Sequence, residues 1–336
     1  MVYSPKMYLD VFYFSIKKIK EIRPNRRSTR IITEDGFVLL QNFYNTISDV
    51  DNFPTSDLMK LFISNFGKVF LTNKDNSKAI SIPEGAYKFI KSGSFCFGGG
   101  FDGGITGRTM ALYDTSDASQ KVDTIDKKKV TASTLFYLLW IPRDSSYGVL
   151  MVQKFSNMNC SSSIKDAVHH FFVKYGYRPF FSKYLPKEVT ETFLNDCILN
   201  RITIRHQQKR SDEQEDNELP ELKQAKLTSS ISQFALSLGQ FCKDRNLKDR
   251  IVSFVDSIDD NYREGDEVKL HYVNSRGESA SAKLEEANDI IPSIILPDKC
   301  FDMENDTIDF KEVQNECLNL LSKIQTDNNY YPDENN

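Results

Sequence analysis

Nowhere in this chain do two cysteines stand close enough to make a CxxC pair. The six present, Cys96, Cys160, Cys197, Cys242, Cys300 and Cys317, are scattered singly. None has a histidine at ligand spacing, so no zinc site is expected and they read as reduced, small hydrophobes. No apolar run approaches the ~20 residues that a membrane span requires. The N-terminus alternates as a strand does, where a secretory leader would set a charged segment before an apolar one. The expectation is a cytoplasmic protein without membrane contact. A strong charge imbalance is also missing: the formal net charge is −4 and the pI about 5.7. That balance excludes a surface-wide coat for nucleic acid and leaves room only for a local basic patch. The phosphate-loop signature is missing as well. The richest glycine stretch, FGGGFDGGITGR from Phe97 to Arg108, lacks a Lys-Ser/Thr ending, and a β-like run, Thr109 to Tyr113, follows it instead of a helix. A kinked or bulged β-ribbon with positive φ angles is the expectation, with Asp102 and Arg108 on a polar surface and no cofactor.

What the chain does have is a globular composition: 336 residues, 40% apolar and 27% charged, with 24 Phe and 15 Tyr. That length suggests two domains. The strongest signals lie between Leu135 and Arg205. Leu135 to Pro142 (LFYLLWIP) is almost wholly apolar, as a strand buried on both faces would be, and Tyr147 to Phe155 (YGVLMVQKF) follows to make a hairpin. Ile164 to Phe172 has helical spacing, with Ser161 to Ser163 placed to cap it, and would lie over the hairpin. A helix from Pro186 to Ile198 and a strand at Arg201 to Arg205 (RITIR), basic on one face, complete the block. Elsewhere, Met7 to Ile19 reads as β-structure, and Glu34-Asp-Gly36 as a turn between short strands. Ser56 to Phe66 reads as a helix, and Asp114 to Lys129 as a polar surface loop. Gln207 to Glu221 is acidic and lacks periodic apolar residues, so it reads as a linker. Beyond it, helical spacing at Ile231 to Cys242 and Leu247 to Ile258 precedes a hairpin, Glu267 to Asn274 with Ser279 to Leu284. A helix from Phe310 to Ile324 precedes a loose tail.

The run "YLLWIP…YGVLMVQKF", followed by a helix and "LPKEVTETFLNDCILNRITI", resembles a family of uncharacterised bacterial proteins associated with phage-defence islands. The resemblance covers roughly the first two thirds of the chain. It implies a bacterial, cytoplasmic setting and a defence role, and it brings no catalytic residue with it.

Three stretches carry candidate chemistry. Arg201-Ile-Thr-Ile-Arg-His206 has the arginine and histidine spacing that resembles the catalytic motif of HEPN ribonucleases, in which both side chains project from a helix. Here Ile202 and Ile204 alternate as in a strand. Glu267-Val-Lys269, preceded by Asp256, Asp259 and Asp260, resembles the carboxylates and lysine of a magnesium-dependent restriction-type nuclease, although strand alternation also places Glu267 and Lys269 on a solvated face. His169-His170 lies mid-helix, where one ring would face the core. The densest charge run places Lys17, Lys18, Lys20, Arg23, Arg26, Arg27 and Arg30 against Glu21 alone, in an expected loop at Pro24 and Asn25.

These readings converge on an α+β fold: a mostly antiparallel sheet with helices packed on one side over 1–206, a linker at 207–224, a small helical domain with a β-hairpin over 225–326, and a tail at 327–336. The expected function is a non-enzymatic bacterial interaction protein of antiviral (phage) defence. Its contact residues are Lys17, Lys18, Arg23, Arg26, Arg27, Arg201 and Arg205, and its partner is nucleic acid or a protein from the same operon. A metal-dependent nuclease and a metal-independent ribonuclease stand as alternatives.

Overall fold

The computed structural model describes residues 5–24, 29–48, 53–66, 69–73, 76–91, 93–114, 116–155, 158–184, 197–205, 228–237, 252–253, 255–257, 267–274, 279–283 and 293–330. The expected linker, the expected helix from Pro186 as far as residue 196, His206, Asp259, Asp260, Arg26 and Arg27 lie outside them; Cys197 and Ile198, expected to end that helix, are strand.

In chain order the elements are β1 (Met7–Pro24), β2 (Thr29–Thr33), α1 (Leu40–Ile47), α2 (Thr55–Ser64), β3 (Leu71–Thr72), β4 (Lys78–Ser81), β5 (Lys88–Lys91), β6 (Cys96–Ile105), β7 (Met110–Asp114), β8 (Asp117–Ile125), β9 (Thr131–Trp140) and β10 (Gly148–Phe155). Then follow α3 (Ser161–Lys174), β11 (Tyr177–Lys183), β12 (Cys197–Arg205), β13 (Thr228–Ser237), β14 (Glu267–Asn274), β15 (Ser279–Lys283), β16 (Ile294–Ile295), β17 (Phe301–Asp302), β18 (Thr307–Ile308) and α4 (Phe310–Asp327).

The chain divides into two compact units, one of residues 1–184 with 293–336 and the other of 185–292. This differs from the division expected at 207–224: the last helix belongs with the N-terminal sheet, and the second unit is an insertion. The first unit is built on a ten-stranded sheet, with strand order β11-β1-β10-β9-β6-β4-β3 and every pair antiparallel. Alternation along its strands feeds two cores. Phe12, Phe14 and Ile16 of β1 and Leu135, Tyr137 and Leu139 of β9 pack with α1, α2 and α3. Leu9 and Val11 of β1 and Phe136, Leu138 and Trp140 of β9 pack with Val313, Cys317, Leu321 and Ile324 of α4. The helices therefore lie on both faces, not one, and the unbroken apolar run at β9 follows from burial on both sides.

Several local expectations are corrected. Ser161 and Ser163 are buried residues inside α3; the N-cap position is Cys160, which makes no side-chain cap, and the preceding Asn159 accepts from the Ser161 N–H through its Oδ1 at 2.8 Å. The polar stretch expected as a loop pairs as the ribbon β7–β8. β6 is a regular strand with no register shift against β9, and its glycines serve proximity rather than positive φ. A Cβ at Gly99 would stand 2.0 Å from the Tyr87 carbonyl oxygen, and one at Gly98 2.3 Å from that of Tyr137. Only Gly107, past the strand, takes φ +79°. The expected loose tail begins pinned: the Tyr330 ring sits edge-on 4.9 Å from Trp140, and its hydroxyl donates to Asp144 at 2.7 Å.

The second unit carries a four-stranded antiparallel sheet, β13-β12-β14-β15. The stretch read as a helix from Ile231 is strand through Ser237, with Ile231 paired to Ile202. Strand pairing overrides the local spacing there. A bulge after Leu199 shifts the alternation of β12 so that Leu199, Ile202 and Ile204 are all buried, with Val268, Leu270 and Tyr272 of β14.

Candidate nucleic-acid interface

Among the described residues, the basic run expected in a loop has Lys17, Lys18, Lys20, Arg23 and Arg30 on a ribbon instead. β1 leaves its partner β10 at Phe14 and β11 at Lys18, and continues to Pro24 paired with β2. Lys18 and Arg23 are exposed and Lys17 is half-buried. Lys17 and Lys18, as strand neighbours, point to opposite faces. Arg23 pairs with Glu21 at 2.7 Å on the open surface, so part of its charge is answered locally. Arg178 joins this group unforeseen: it stands opposite Lys17 on β11, and its Nη1 donates to the Ile31 carbonyl at 3.2 Å.

On the second unit the register sets Arg201 opposite His271, Thr203 opposite Lys269 and Arg205 opposite Glu267. Because opposed residues share a face, the two stretches singled out separately in sequence form one polar surface over the apolar side of that sheet. Arg201 Nη2 lies 3.3 Å from His271 Nδ1, and Thr203 Oγ1 2.9 Å from Nε2. Arginine only donates, so Nδ1 accepts and Nε2–H donates to the threonine: the ring is neutral. Burial, then the positive charges of Arg201 and Lys269, hold its pKa below the ordinary 6.5. Arg205 lies 3.8 Å from Glu267. His271 was not singled out in sequence, and the alternating β14 pattern that placed Glu267 and Lys269 on the solvated face was the signal available for it.

A third cluster is buried. Asp10, 3% exposed, interrupts the apolar β1 and receives Ser161 Oγ at 2.8 Å, Ser293 Oγ at 2.6 Å, Lys154 Nζ at 3.0 Å and Lys183 Nζ at 3.4 Å. Burial pushes its carboxyl upward, but Lys183, Lys154 and the Ser293 hydroxyl outweigh that and hold it below the usual aspartate range. Lys183 is itself lowered, because burial and Lys154 outweigh the attraction of Asp10. Since Lys183 ends β11 and Ser293 precedes β16, Asp10 fastens both strands from which the inserted unit departs.

The remaining candidates gather no chemistry. His169 is half-buried and His170 exposed. Cys96, Cys160, Cys300 and Cys317 are free and buried, and burial raises the Cys96 thiol to about 12. Asp102 accepts from Thr134 at 2.9 Å. Arg201 stands on a strand, where the HEPN-like arrangement uses a helix. Among the described residues no three His, Cys, Asp or Glu side chains converge as a metal site would require. No family model, no curated protein and no solved structure matches this chain.

Proposed function

We propose that this chain acts by contact, as a nucleic-acid-binding component of bacterial antiviral defence, with Lys17, Lys18, Arg23, Arg26, Arg27, Arg201 and Arg205 as its phosphate contacts. The defence setting rests on the resemblance alone. The observation that carries the binding reading is the ribbon: of the seven basic residues that stand against one acidic residue between Lys17 and Arg30, the five described ones, Lys17, Lys18, Lys20, Arg23 and Arg30, belong to a strand pair that continues beyond the main sheet. Cations spaced along an extended strand recur on one face about every 6.6 Å. They can follow a phosphate backbone, releasing condensed counterions as they do so. The Arg201, Lys269 and Arg205 face of the second unit supports the same reading, since three cations there stand beside one carboxylate and a neutral histidine.

The nuclease alternative is favoured less, because Glu267 is matched with Arg205 and not grouped with further described carboxylates. The test is a low-salt gel-shift series with duplex DNA, single-stranded DNA and RNA. A shift with at least one, weakening steeply as salt rises and showing little base preference, supports the proposal. No shift with any of the three removes it and makes a protein partner the better assignment. A complete loss of biological activity in Glu267→Ala, with the fold retained by circular dichroism, would return the chain to the enzymes.

A further inference from the structure

Resting on that nucleic-acid reading, we infer that Lys17, Phe37, Arg178 and Phe180 form a stacking platform, which makes the ligand a single strand. The sheet face that holds the α4 core carries Leu9, Val11 and Tyr13 in turn. Past Tyr13 the same face presents Ser15 and Lys17 of β1, opposite Phe180 and Arg178 of β11. Phe37 is brought beside them by the turn at Gly36, φ +81°, and by the Val38 N–H donating to the Ile16 carbonyl at 3.0 Å.

The two rings meet edge to face at 5.8 Å, and both remain open, Phe37 with 55% of its surface exposed and Phe180 with 36%. Lys17 Nζ lies 5.0 Å from the Phe37 centroid and 5.6 Å from that of Phe180, and the Arg178 guanidinium lies 5.1 Å from Phe180. A single exposed phenylalanine needs no explanation. Two in contact, each with a cation at ring distance and the basic ribbon continuing from the same strand, present what a single strand offers: base faces to stack and phosphates to neutralise. A duplex offers the phosphates but keeps its base faces inside its own stack, so it can use the cations and not the rings.

The experiment uses the full chain and fluorescence anisotropy at low salt, with a labelled oligothymidylate of about twelve nucleotides and a labelled duplex of equal length. Native protein is expected to bind the single strand more tightly. The double variant Phe37→Ala, Phe180→Ala should lose about 5- to 150-fold on the single strand, the span set by stacking one base on an aromatic ring, and keep its duplex affinity. Phe37→Tyr with Phe180→Tyr, which keeps the ring faces, should retain single-strand binding and shows that a loss in the alanine form is not unfolding. Single-strand affinity unchanged in the alanine form, or an equal fall on both ligands, overturns the platform while phosphate binding stands. Native protein that binds neither ligand overturns the platform and the nucleic-acid reading together.

Discussion

Two side chains illustrate what residue-level chemistry adds. His271 is neutral because burial, Arg201 and Lys269 all disfavour its charged form. Its folded pKa lies below its unfolded value of 6.5, so the stability linked to it is present above pH 6.5 and is lost as pH falls through the folded pKa. An NMR titration should place the free-protein pKa below 6.5, and added polyanion should raise it by countering the two cations; a free value above 6.5 would contradict the assigned tautomer. Asp10 is an acid where His271 is a base, and its linkage to pH runs in the same direction. Its carboxylate is held below the ordinary 3.8, so its contribution is present above that pH and is lost as pH falls through the lowered value. Asp10→Asn would leave Lys154 and Lys183 together with no anion. It should cost about 3 kcal/mol or more by denaturant titration and flatten the acid limb of the stability profile. Neither role was legible from local sequence. Asp10 looks like an ordinary polar break in MYLDVFYF, and only folding brings Ser161, Ser293 and both lysines to it.

At the scale of elements, legibility followed the source of each element's stability. The hairpin β9–β10 declares itself by two unbroken apolar runs of strand length, and the strand at Arg201 to Arg205 and the last helix by apolar residues that recur at the period of the element that buries them. The Asp309 carboxylate also signals the start of α4 by accepting from the Lys311 and Glu312 N–H groups. α1 carries no such sign: its eight residues begin after Leu39, which makes no side-chain cap. β13 shows helical spacing at Ile231, Phe234 and Ala235, yet the partner strand β12 determines the outcome. The β6 glycines were legible as β-structure, but their purpose depends on neighbours distant in sequence. Gly99→Ala would force its Cβ against the Tyr87 carbonyl oxygen, 2.0 Å away. A destabilisation toward the upper end of about 1–3 kcal/mol is expected by urea unfolding. Gly36→Ala, with nothing near its Cβ but φ +81°, should cost only about 1 kcal/mol of backbone strain. Equal losses from the two would contradict the close strand approach assigned to β6.

At the scale of the whole molecule, the second unit departs after Lys183, paired with Phe12, and returns before Ile294, paired with Leu9. The two exits stand three residues apart along one strand, about 10 Å. Replacing 185–292 with a short glycine–serine linker should therefore leave the first unit folded, with a cooperative thermal transition; a chain without one would contradict the insertion. For the same reason, proteolysis within Gln207 to Glu221 should yield fragments that stay together on a native sizing column, because α4 belongs to the sheet that begins at β1. The most direct test of the nucleic-acid reading is the salt dependence of binding, measured by anisotropy for the native chain and for Arg26→Glu with Arg27→Glu. Native protein should show log affinity falling linearly with log salt, and the variant both a lower affinity and a shallower slope, by about 0.7 per contact removed on a single strand. An affinity independent of salt, or one that the reversal leaves unchanged in value and slope, would contradict the assignment of the basic run from Lys17 to Arg30 as the phosphate-binding stretch.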